Sequence, residues 1–339
     1  MLTQKMITDV NSEIIRLLDS SVGAVKDMIY DSAPWKGHKY RTQLFVAFGG
    51  AEHPGCAQVA AVIEVVHLAS LVHDDILDNA QMRRGRDCLY RKHNLAESIL
   101  FGDLLLTRGL ARLVQTGLKD APELLINACT RMAEAEIQEQ HCRRNADVRE
   151  SEYMDIIAGK TGALFGAAAG LGSMSRSGNE AEITTAISAA ELMGCAYQIL
   201  DDCTDYMTED TGKDRLRDFR TGVITLPLIT LFQKCTTAEH TAVLAVLGND
   251  MFTIQEQSGV LSCMKKYGVM EESLRMADAC LDQAEQQLSD MSTTGADFIE
   301  CREILEHIRG QVLYAREDNC DCRWRVRGNR GIERIEQGA

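Results

Sequence analysis

Aromatic residues and prolines are scarce in this chain, and their scarcity narrows the fold class. Phe, Trp and Tyr make up 5% of the 339 residues, and there are only four prolines. Alternation of polar and apolar residues, the pattern of a half-buried strand, is equally scarce. These absences argue against a β-rich fold, and the abundance of Ala, Leu, Ile, Met and Glu predicts an all-α protein.

Net positive charge is also lacking. The formal net charge is −14, which argues against a surface that binds nucleic acid as a polyanion. We therefore expect no nucleic-acid partner. A small anionic substrate remains compatible with this charge, provided that metal ions bridge it to the acidic protein.

Long apolar runs and regular cysteine spacings are absent as well. The longest weakly polar run, residues 162–174, is too short to span a bilayer, and Ile7, Val10, Ile14 and Leu18 form an amphipathic first helix, not a signal peptide. We expect a cytoplasmic protein without a transmembrane segment. The twelve cysteines mostly follow apolar helix faces and are expected to be reduced core thiols. The C-x-C pair Cys320 and Cys322 is assigned to the tail.

The pattern along the chain predicts one large domain followed by a tail. Helical segments over residues 1–315 are broken only by short turns, without a linker. Residues 316–339 are rich in arginine and have little periodicity. We predict a helical domain over 1–315 and a solvated C-terminal tail over 316–339. A lid or a subunit contact is the alternative role for the tail.

Three aspartates and two arginines stand together in LVHDDILDNAQMRRG, residues 71–85. On a helix Asp74 and Asp78 share one face, a turn apart, with Asp75 beside them. Their apolar neighbours predict a mostly buried helix, where adjacent carboxylates need cations to neutralise them; a solvated acidic face fits these neighbours poorly. Oxygen ligands of this kind suit Mg²⁺.

The same D-D-x-x-D spacing returns at Asp201, Asp202 and Asp205, after another apolar helical run. Two such motifs predict facing walls of one cavity, which together hold about three divalent ions around a diphosphate. Arg83 and Arg84, just after the first motif, are suited to binding phosphate oxygens. The two motifs and the arginines thus predict a site for a metal-bound diphosphate.

With these motifs in place, the sequence resembles the trans-isoprenyl diphosphate synthases, the polyprenyl synthetase family, over nearly its whole length. The matching segments are EVVHLASLVHDD with RRG, LFGDLLLTRG, DIIAGKTGALFGAAA, and GCAYQILDDCTDY followed by TGKD and DFRTGVITLPL. The resemblance implies a single helical bundle of the isoprenoid-synthase type, with a central cavity that opens at the aspartates. It also implies a homodimer.

The resemblance assigns roles to individual residues. It implies that about three Mg²⁺ ions, with Mn²⁺ as the alternative ion, bind Asp74, Asp75, Asp78, Asp201, Asp202 and Asp205. The allylic diphosphate would contact Arg83, Lys160 and Lys213. Lys160, Thr161 and Gln198 would surround the carbocation as the catalytic set. Isopentenyl diphosphate would contact His38, Arg41, His67 and Arg84.

The implied activity is a magnesium-dependent prenyl transfer. Metal ions and cationic side chains stabilise the charge that builds on a departing diphosphate, so the allylic C–O bond ionises in a dry cavity. The double bond of isopentenyl diphosphate then attacks the cation head to tail, and pyrophosphate is a suitable base for the final proton. We therefore expect an all-trans polyprenyl diphosphate synthase whose substrates are an allylic prenyl diphosphate and isopentenyl diphosphate.

Two departures from the family pattern leave other functions open. His38 stands where the family has a lysine, with Lys39 next to it as a potential substitute, and Val223 stands where the family has another lysine. Each lost charged hydrogen bond is worth on the order of 1.5 to 3 kcal/mol. One alternative is therefore a terpene synthase-like enzyme or diphosphate lyase with a weakened isopentenyl diphosphate site. A non-catalytic subunit of a hetero-oligomeric synthase is the other.

Small residues precede the first motif. Ala69 and Ser70 lie about one helical turn before Asp74, on the side where a growing hydrocarbon would descend. Because small side chains leave such a tunnel open, we expect a product longer than farnesyl (C15), released through a transient membrane contact. The alternative is that both residues are small because helices pack closely there.

Overall fold

The computed structural model describes residues 3–19, 22–32, 39–83, 85–207, 216–249, 251, 253–292 and 299–321. Within these ranges almost every element is a helix, which confirms the prediction of an all-α fold. The exception is a short hairpin between two helices.

The first half of the chain supplies the first aspartate motif and the helices around it. Its helices are α1 (Gln4–Leu18), α2 (Gly23–Ser32), α3 (Tyr40–Ala47), a 3₁₀ turn (Gly50–Glu52), α4 (Cys56–Leu77), α5 (Leu89–Lys92), α6 (Leu95–Gln115) and α7 (Ala121–Cys142). The predicted amphipathic first helix is confirmed as α1, which buries Val10, Ile14 and Leu18 and packs against α4.

The hairpin follows α4 directly. Its strands β1 (Met82–Arg83) and β2 (Arg86–Asp87) are antiparallel, and Arg83 pairs with Arg86. Gly85 in the turn has φ 76°, a left-handed conformation that glycine adopts without strain. The hairpin returns the chain toward α4 and thereby places Arg83 beside the first aspartate motif.

The second half of the chain supplies the second motif. Its elements are α8 (Glu150–Ile157), a π-helical turn (Ala158–Gly162), α9 (Ala163–Ser175), α10 (Glu180–Met207), α11 (Arg217–Thr221), α12 (Leu226–Lys234), α13 (Thr237–Val246), α14 (Ile254–Lys266), α15 (Val269–Ser292) and α16 (Ile299–Asp321). The long helix α10 packs against α9 and α15 and is the centre of this half.

Small residues let the central helices approach one another closely. A side chain at Gly194 of α10 would meet the Gly162 Cα at 2.9 Å, so both glycines are needed where α10 crosses the π-helical turn. Helix α9 is built almost entirely of buried small and apolar residues. The apolar segment 162–174, which the sequence analysis judged too short to span a bilayer, is therefore a core element.

Two helices, α4 and α10, are long and apolar enough by length and composition to cross a membrane, and about half of each apolar window is buried inside the bundle. A buried core helix passes the same test, so this finding is weak evidence for a membrane span. Both helices carry an aspartate motif at their C-terminal end.

The cysteines and the C-terminal segment can be compared with the predictions only where the structure describes them. The ten cysteines whose side chains the structure describes are free thiols, which confirms that part of the prediction. The side chain of Cys320, and all of Cys322, lie outside the described residues. Helix α16 continues to Asp321, past the predicted boundary at residue 316. The division into a domain over 1–315 and a tail over 316–339 stays a prediction.

Candidate active site

The first aspartate motif lies at the C-terminal end of α4. Asp78 ends the helix and donates its backbone N–H to the Asp74 carbonyl at 2.9 Å, and Asn79 then turns the chain with φ 49°. Asp75 is buried. Negative side chains at a helix C-terminus meet the negative end of the helix dipole, so this cluster needs cations nearby.

Arg83 provides one of these cations. Its Nε donates a 2.6 Å hydrogen bond to Asp75 Oδ1. A charge-assisted hydrogen bond of this length is among the stronger ones in proteins. Cys88, the residue directly before the short helix α5, is buried beside the same carboxylate, and burial together with Asp75 raises the pKa of its thiol to about 12.

Two further arginines hold Asp78. Arg143, directly after α7, donates from Nη2 to Asp78 Oδ1 at 2.8 Å, and Arg217, at the start of α11, donates from Nη2 to Asp78 Oδ2 at 3.0 Å. Neither arginine was expected at the site. They come from segments that lie 65 and 139 residues further along the chain.

Arg217 also joins the two aspartate motifs. Its backbone N–H donates to Asp205 Oδ1 at 3.0 Å, and the N–H of Asp218 donates to Asp205 Oδ2 at 3.1 Å. Asp205 thus satisfies two backbone donors that begin α11. Because the Arg217 side chain reaches Asp78, one residue contacts the last aspartate of each motif, and the predicted convergence of the two motifs is confirmed at these positions.

Asp202 is the buried centre of a hydrogen-bonded chain. It accepts from Gln198 Nε2 at 2.7 Å and from the Tyr153 hydroxyl at 2.7 Å. The Thr161 hydroxyl donates to Gln198 Oε1 at 2.6 Å. The structure therefore brings the predicted residues Thr161, Gln198 and Asp202 together, and adds Tyr153 from α8. Asp201, by contrast, is exposed.

The predicted Lys-Thr pair lies in the π-helical turn, a rare element that often marks functional sites. Lys160 lies 2.5 Å from Glu139 Oε2 and 3.0 Å from Glu136 Oε2, both on α7. Burial alone would lower the pKa of Lys160, but the two carboxylates outweigh burial and raise it above its usual value. Lys160 is therefore fully protonated, with two carboxylates beside it.

Several carboxyl groups of the site carry raised pKa values. Burial raises the pKa of Asp74 to about 7, against the opposing effect of Lys160. Burial likewise raises the pKa of Asp202 to about 7 and of Asp205 to about 6, although both accept hydrogen bonds. The pKa of Asp218 is also raised, by burial and by Asp205. Burial therefore disfavours the charged form of these carboxyl groups, and nearby cations would favour it.

These carboxylates fit divalent ions that bind together with a phosphate. Among the described residues, no three His, Cys, Asp or Glu side chains are arranged to hold a metal ion by themselves. Mg²⁺ in proteins is usually bound by one or two carboxylates, with phosphate oxygens and water as the other ligands. The oxygen-only side chains of the two motifs match that kind of site.

The predicted isopentenyl diphosphate residues are described only in part. Arg41 lies over the ring of Phe165, with its guanidinium carbon 4.9 Å from the ring centre, and burial lowers its pKa to about 10 while Glu64 opposes the shift. His67 lies on α4 three residues after Glu64. His38, Arg84 and the allylic-site residue Lys213 lie outside the described residues.

Lys39, the potential substitute for His38, has another partner. Its side chain is 4% exposed, and its Nζ lies 3.6 Å from Glu64 Oε2 on α4. The same carboxylate accepts a 2.6 Å hydrogen bond from the Thr42 hydroxyl. Lys39 directly precedes α3 and adopts φ 55°, a left-handed conformation. The charges of Lys39 and Glu64 attract each other at this 3.6 Å distance, but the Lys39 Nζ has no hydrogen-bond acceptor among the described residues.

The remaining predicted positions, Ala69, Ser70 and Val223, lie on α4 or just before α12. Ala69 is buried, and the Ser70 hydroxyl donates to the His67 carbonyl at 2.8 Å. Val223 is buried and apolar, and its N–H donates to the Asp218 carbonyl at 2.9 Å. The chain-length roles of Ala69 and Ser70 stay predictions.

Sequence reasoning missed several residues of this site. They are Glu136, Glu139, Arg143, Tyr153, Arg217 and Asp218. The E-x-x-E spacing on α7 was a visible signal, because it puts two carboxylates on one helix face. Asp218 begins the matching segment DFRTGVITLPL, whereas Arg143, Tyr153 and Arg217 have no local signal, since each contacts a residue far away in sequence.

A comparison with known families agrees with the geometry. Residues 24–267 match the model of the polyprenyl synthetase family. The chain belongs to this family and is a prenyltransferase of the polyprenyl diphosphate synthase type. This confirms the resemblance drawn from the aspartate motifs.

Individual relatives share the fold over most of their length. The octaprenyl diphosphate synthase of Escherichia coli is 28% identical over 290 residues, which are 84% of this chain and 89% of that protein. A decaprenyl diphosphate synthase from Rhodobacter capsulatus superposes with a TM-score of 0.83 at 26% identity, covering 92% of this chain and 96% of that one. A polyprenyl synthase from Caulobacter crescentus, complexed with calcium and isoprenyl diphosphate, gives 0.82 at 26% identity and covers 91% and 94%.

Proposed function

We propose that this chain condenses an allylic prenyl diphosphate with isopentenyl diphosphate, with Mg²⁺ as its cofactor, to an all-trans product longer than C15. The observation that carries the proposal is the meeting of the two aspartate motifs through Arg217, which contacts Asp78 and Asp205. Carboxylates suit the metal ions of a metal-bound diphosphate, and the arginine and lysine side chains suit its anionic oxygens.

The metal ions would bind the six motif aspartates, about three Mg²⁺ in all, or Mn²⁺ in their place. When bound, such ions neutralise the charge that develops on a departing diphosphate. The Caulobacter crescentus relative, complexed with calcium and isoprenyl diphosphate, supports a divalent ion beside a prenyl diphosphate. The raised pKa values of Asp74 and Asp202 also support metal binding, because bound cations would lower these pKa values and keep the carboxylates ionised.

The side chains between the motifs have separate tasks. Arg83 and Lys160 would bind the allylic diphosphate, Arg83 after leaving Asp75 and Lys160 from its place beside Glu136 and Glu139. The Thr161 hydroxyl and the Gln198 side chain are fixed to each other and to Asp202. Fixed dipoles of this kind stabilise a cation without reorganising during the reaction.

The second substrate would bind near Arg41 and His67, with His38 and Arg84 completing its site. Since Lys39 is paired with Glu64, Arg41 is the cation that the described part of the N-terminal region offers to this diphosphate. Binding of isopentenyl diphosphate should therefore be weaker than in a site with a lysine at position 38, without being abolished.

Further parts of the proposal concern assembly and location. Exposed apolar side chains occur along α6 and α7, among them Leu100, Val114 and Ile137, and they suit the interface of a homodimer. We place the enzyme in the cytoplasm, with a transient membrane contact that releases a product too apolar for water. Light scattering of the purified protein tests the dimer, and cell fractionation tests the location.

One assay separates the proposal from its alternatives. The purified protein is incubated with Mg²⁺, an allylic diphosphate and labelled isopentenyl diphosphate, and both labelled lipid and released pyrophosphate are measured. Labelled products longer than C15 are expected. Pyrophosphate without label would indicate a terpene synthase-like enzyme or a lyase. Inactivity relieved only by a second subunit would indicate a non-catalytic component.

A further inference from the structure

Asp78 faces more positive charge than it can neutralise. One carboxylate accepts hydrogen bonds from two guanidinium groups, Arg143 at 2.8 Å and Arg217 at 3.0 Å. The side chains are 23% exposed for Asp78, 20% for Arg143 and 37% for Arg217. The cluster is therefore screened from bulk water but still reachable by a ligand. A net positive charge remains within a site that is otherwise acidic.

Both guanidinium groups have donors to spare. Among the described residues, Asp78 is the only side chain to which either guanidinium donates a hydrogen bond. The Nε of Arg143 is buried without an acceptor in the described part of the chain. A guanidinium offers several donors in a planar fork, which matches two oxygens of a phosphate group. Since the side chains of Arg143 and Arg217 are 20% and 37% exposed, their other unused donors can bind phosphate oxygens without first giving up Asp78, whereas the buried Arg143 Nε requires the side chain to move.

The arginines also lie where a diphosphate between the motifs would be within reach. The backbone N–H of Arg217 donates to Asp205 of the second motif, and its guanidinium donates to Asp78 of the first motif. Arg143 approaches Asp78 from the end of α7, the helix whose Glu139 contacts Lys160. Their contacts with Asp78 parallel that of Arg83, a predicted diphosphate ligand, with Asp75.

We propose that Arg143 and Arg217 bind the diphosphate of the allylic substrate and supply the positive charge that the site lacks at Val223. Val223 is buried and apolar and contributes no cation. The inference rests on the proposed function, because it concerns the same diphosphate. It adds two ligands from segments that neither aspartate motif identifies.

Binding of inorganic pyrophosphate tests this assignment without any turnover. Isothermal titration calorimetry compares the wild type with Arg143→Gln and Arg217→Gln, with and without Mg²⁺. Each variant should bind pyrophosphate about 10- to 100-fold more weakly, the loss of one charged hydrogen-bonding group. Arg275→Gln is the matched control, since Arg275 is 59% exposed and pairs only with Glu271 of its own helix among the contacts described. It should bind as the wild type does.

A different result would show that the arginines only neutralise Asp78. In that case their removal would leave pyrophosphate affinity unchanged and would tighten Mg²⁺ binding, because Asp78 would be free for the metal. Unchanged pyrophosphate affinity overturns the inference. If a glutamine variant does not fold, Arg143→Lys and Arg217→Lys replace it. These keep the charge but lose the fork, so they should weaken pyrophosphate binding by a smaller factor, and unchanged binding overturns the inference again.

Failure of the proposed function gives a separate result. If the wild type binds neither pyrophosphate nor Mg²⁺ with pyrophosphate, both the function and the inference are wrong. If the wild type binds both and incorporates labelled isopentenyl diphosphate, while the arginine variants bind as it does, the inference alone is wrong.

Discussion

The hydroxyl of Tyr153 on α8 donates a 2.7 Å hydrogen bond to Asp202 Oδ2 on α10, where both side chains are buried. The bond fixes one oxygen of a motif aspartate, while Gln198 fixes the other. Burial and the negative charge of Asp202 hold the pKa of Tyr153 well above its usual value, so Tyr153 remains a donor. Tyr153 therefore orients a carboxylate that is expected to bind metal.

Removing this hydroxyl should weaken the metal site. In Tyr153→Phe, Asp202 loses a buried donor, which costs about 1–3 kcal/mol. We expect a higher Mg²⁺ concentration for half-maximal activity, on the order of tenfold, and a lower melting temperature. Mg²⁺ titrations of initial rate check the first effect. Tyr30→Phe is the control, because Tyr30 is 69% exposed on α2; equal Mg²⁺ dependence in both variants would contradict the role of Tyr153.

Replacing a motif aspartate should abolish most of the activity. Asp74→Asn and Asp201→Asn each remove a metal ligand, and turnover should fall by several orders of magnitude. Excess chelator should have the same effect on the wild type. Full activity with chelator present would show that no metal is required.

For Asp74 the same substitution should stabilise the metal-free fold. Its folded pKa of about 7 lies above the usual value of 3.8, so the folded state holds the proton more tightly than the unfolded chain. The cost of ionisation therefore grows as the pH rises from about 4 to 7. We expect Asp74→Asn to raise the melting temperature by on the order of 2 °C or more at pH 8, and by less at pH 5. Exposed Asp201 provides the comparison, and equal shifts at both pH values would contradict the burial of an ionised Asp74.

A lysine at position 38 should improve binding of isopentenyl diphosphate. His38→Lys adds a permanent charge, since histidine is only partly protonated near neutral pH. The apparent KM for isopentenyl diphosphate should fall about tenfold, while the KM for the allylic substrate stays unchanged. An unchanged or higher KM for isopentenyl diphosphate would mean that this position does not face the substrate.

Lys39→Met is the matched variant at the neighbouring position in the sequence. It leaves Glu64 as a buried charge without its lysine, so it should lower the free energy of unfolding by about 3 kcal/mol. Chemical denaturation measures this loss. A higher KM for isopentenyl diphosphate, without a lower free energy of unfolding, would show instead that Lys39 binds this substrate.

Product length should respond to the size of residue 69. Ala69 is buried on α4, about one turn before Asp74, so Ala69→Phe should fill a tunnel below the metal site and shorten the product. Chromatography of the dephosphorylated products measures this. Ile254→Phe, at an exposed position of α14, should leave the length unchanged. A wild-type product of C15, or the same length after Ala69→Phe, would contradict the tunnel.

The sequence alone determined the helical class and the main chemistry of the site. The two D-D-x-x-D motifs are local patterns, and each lies on one helix, where spacing fixes which side chains share a face. The apolar residues around Asp74 and Asp202 predicted burial, and buried carboxylates implied cations. The Lys160–Thr161 pair and Gln198 were found through the resemblance, and the structure brings Thr161 and Gln198 together.

Only the tertiary structure decided which charges meet. Arg143 and Arg217 act on Asp78 from 65 and 139 residues away, and periodicity within one helix carries no information about such pairs. Lys39 lies beside His38 in sequence, yet its side chain is buried near Glu64. Helix packing sets these pairings, because an ionic contact needs the two charged groups within a few ångströms, and only the assembled bundle fixes those distances.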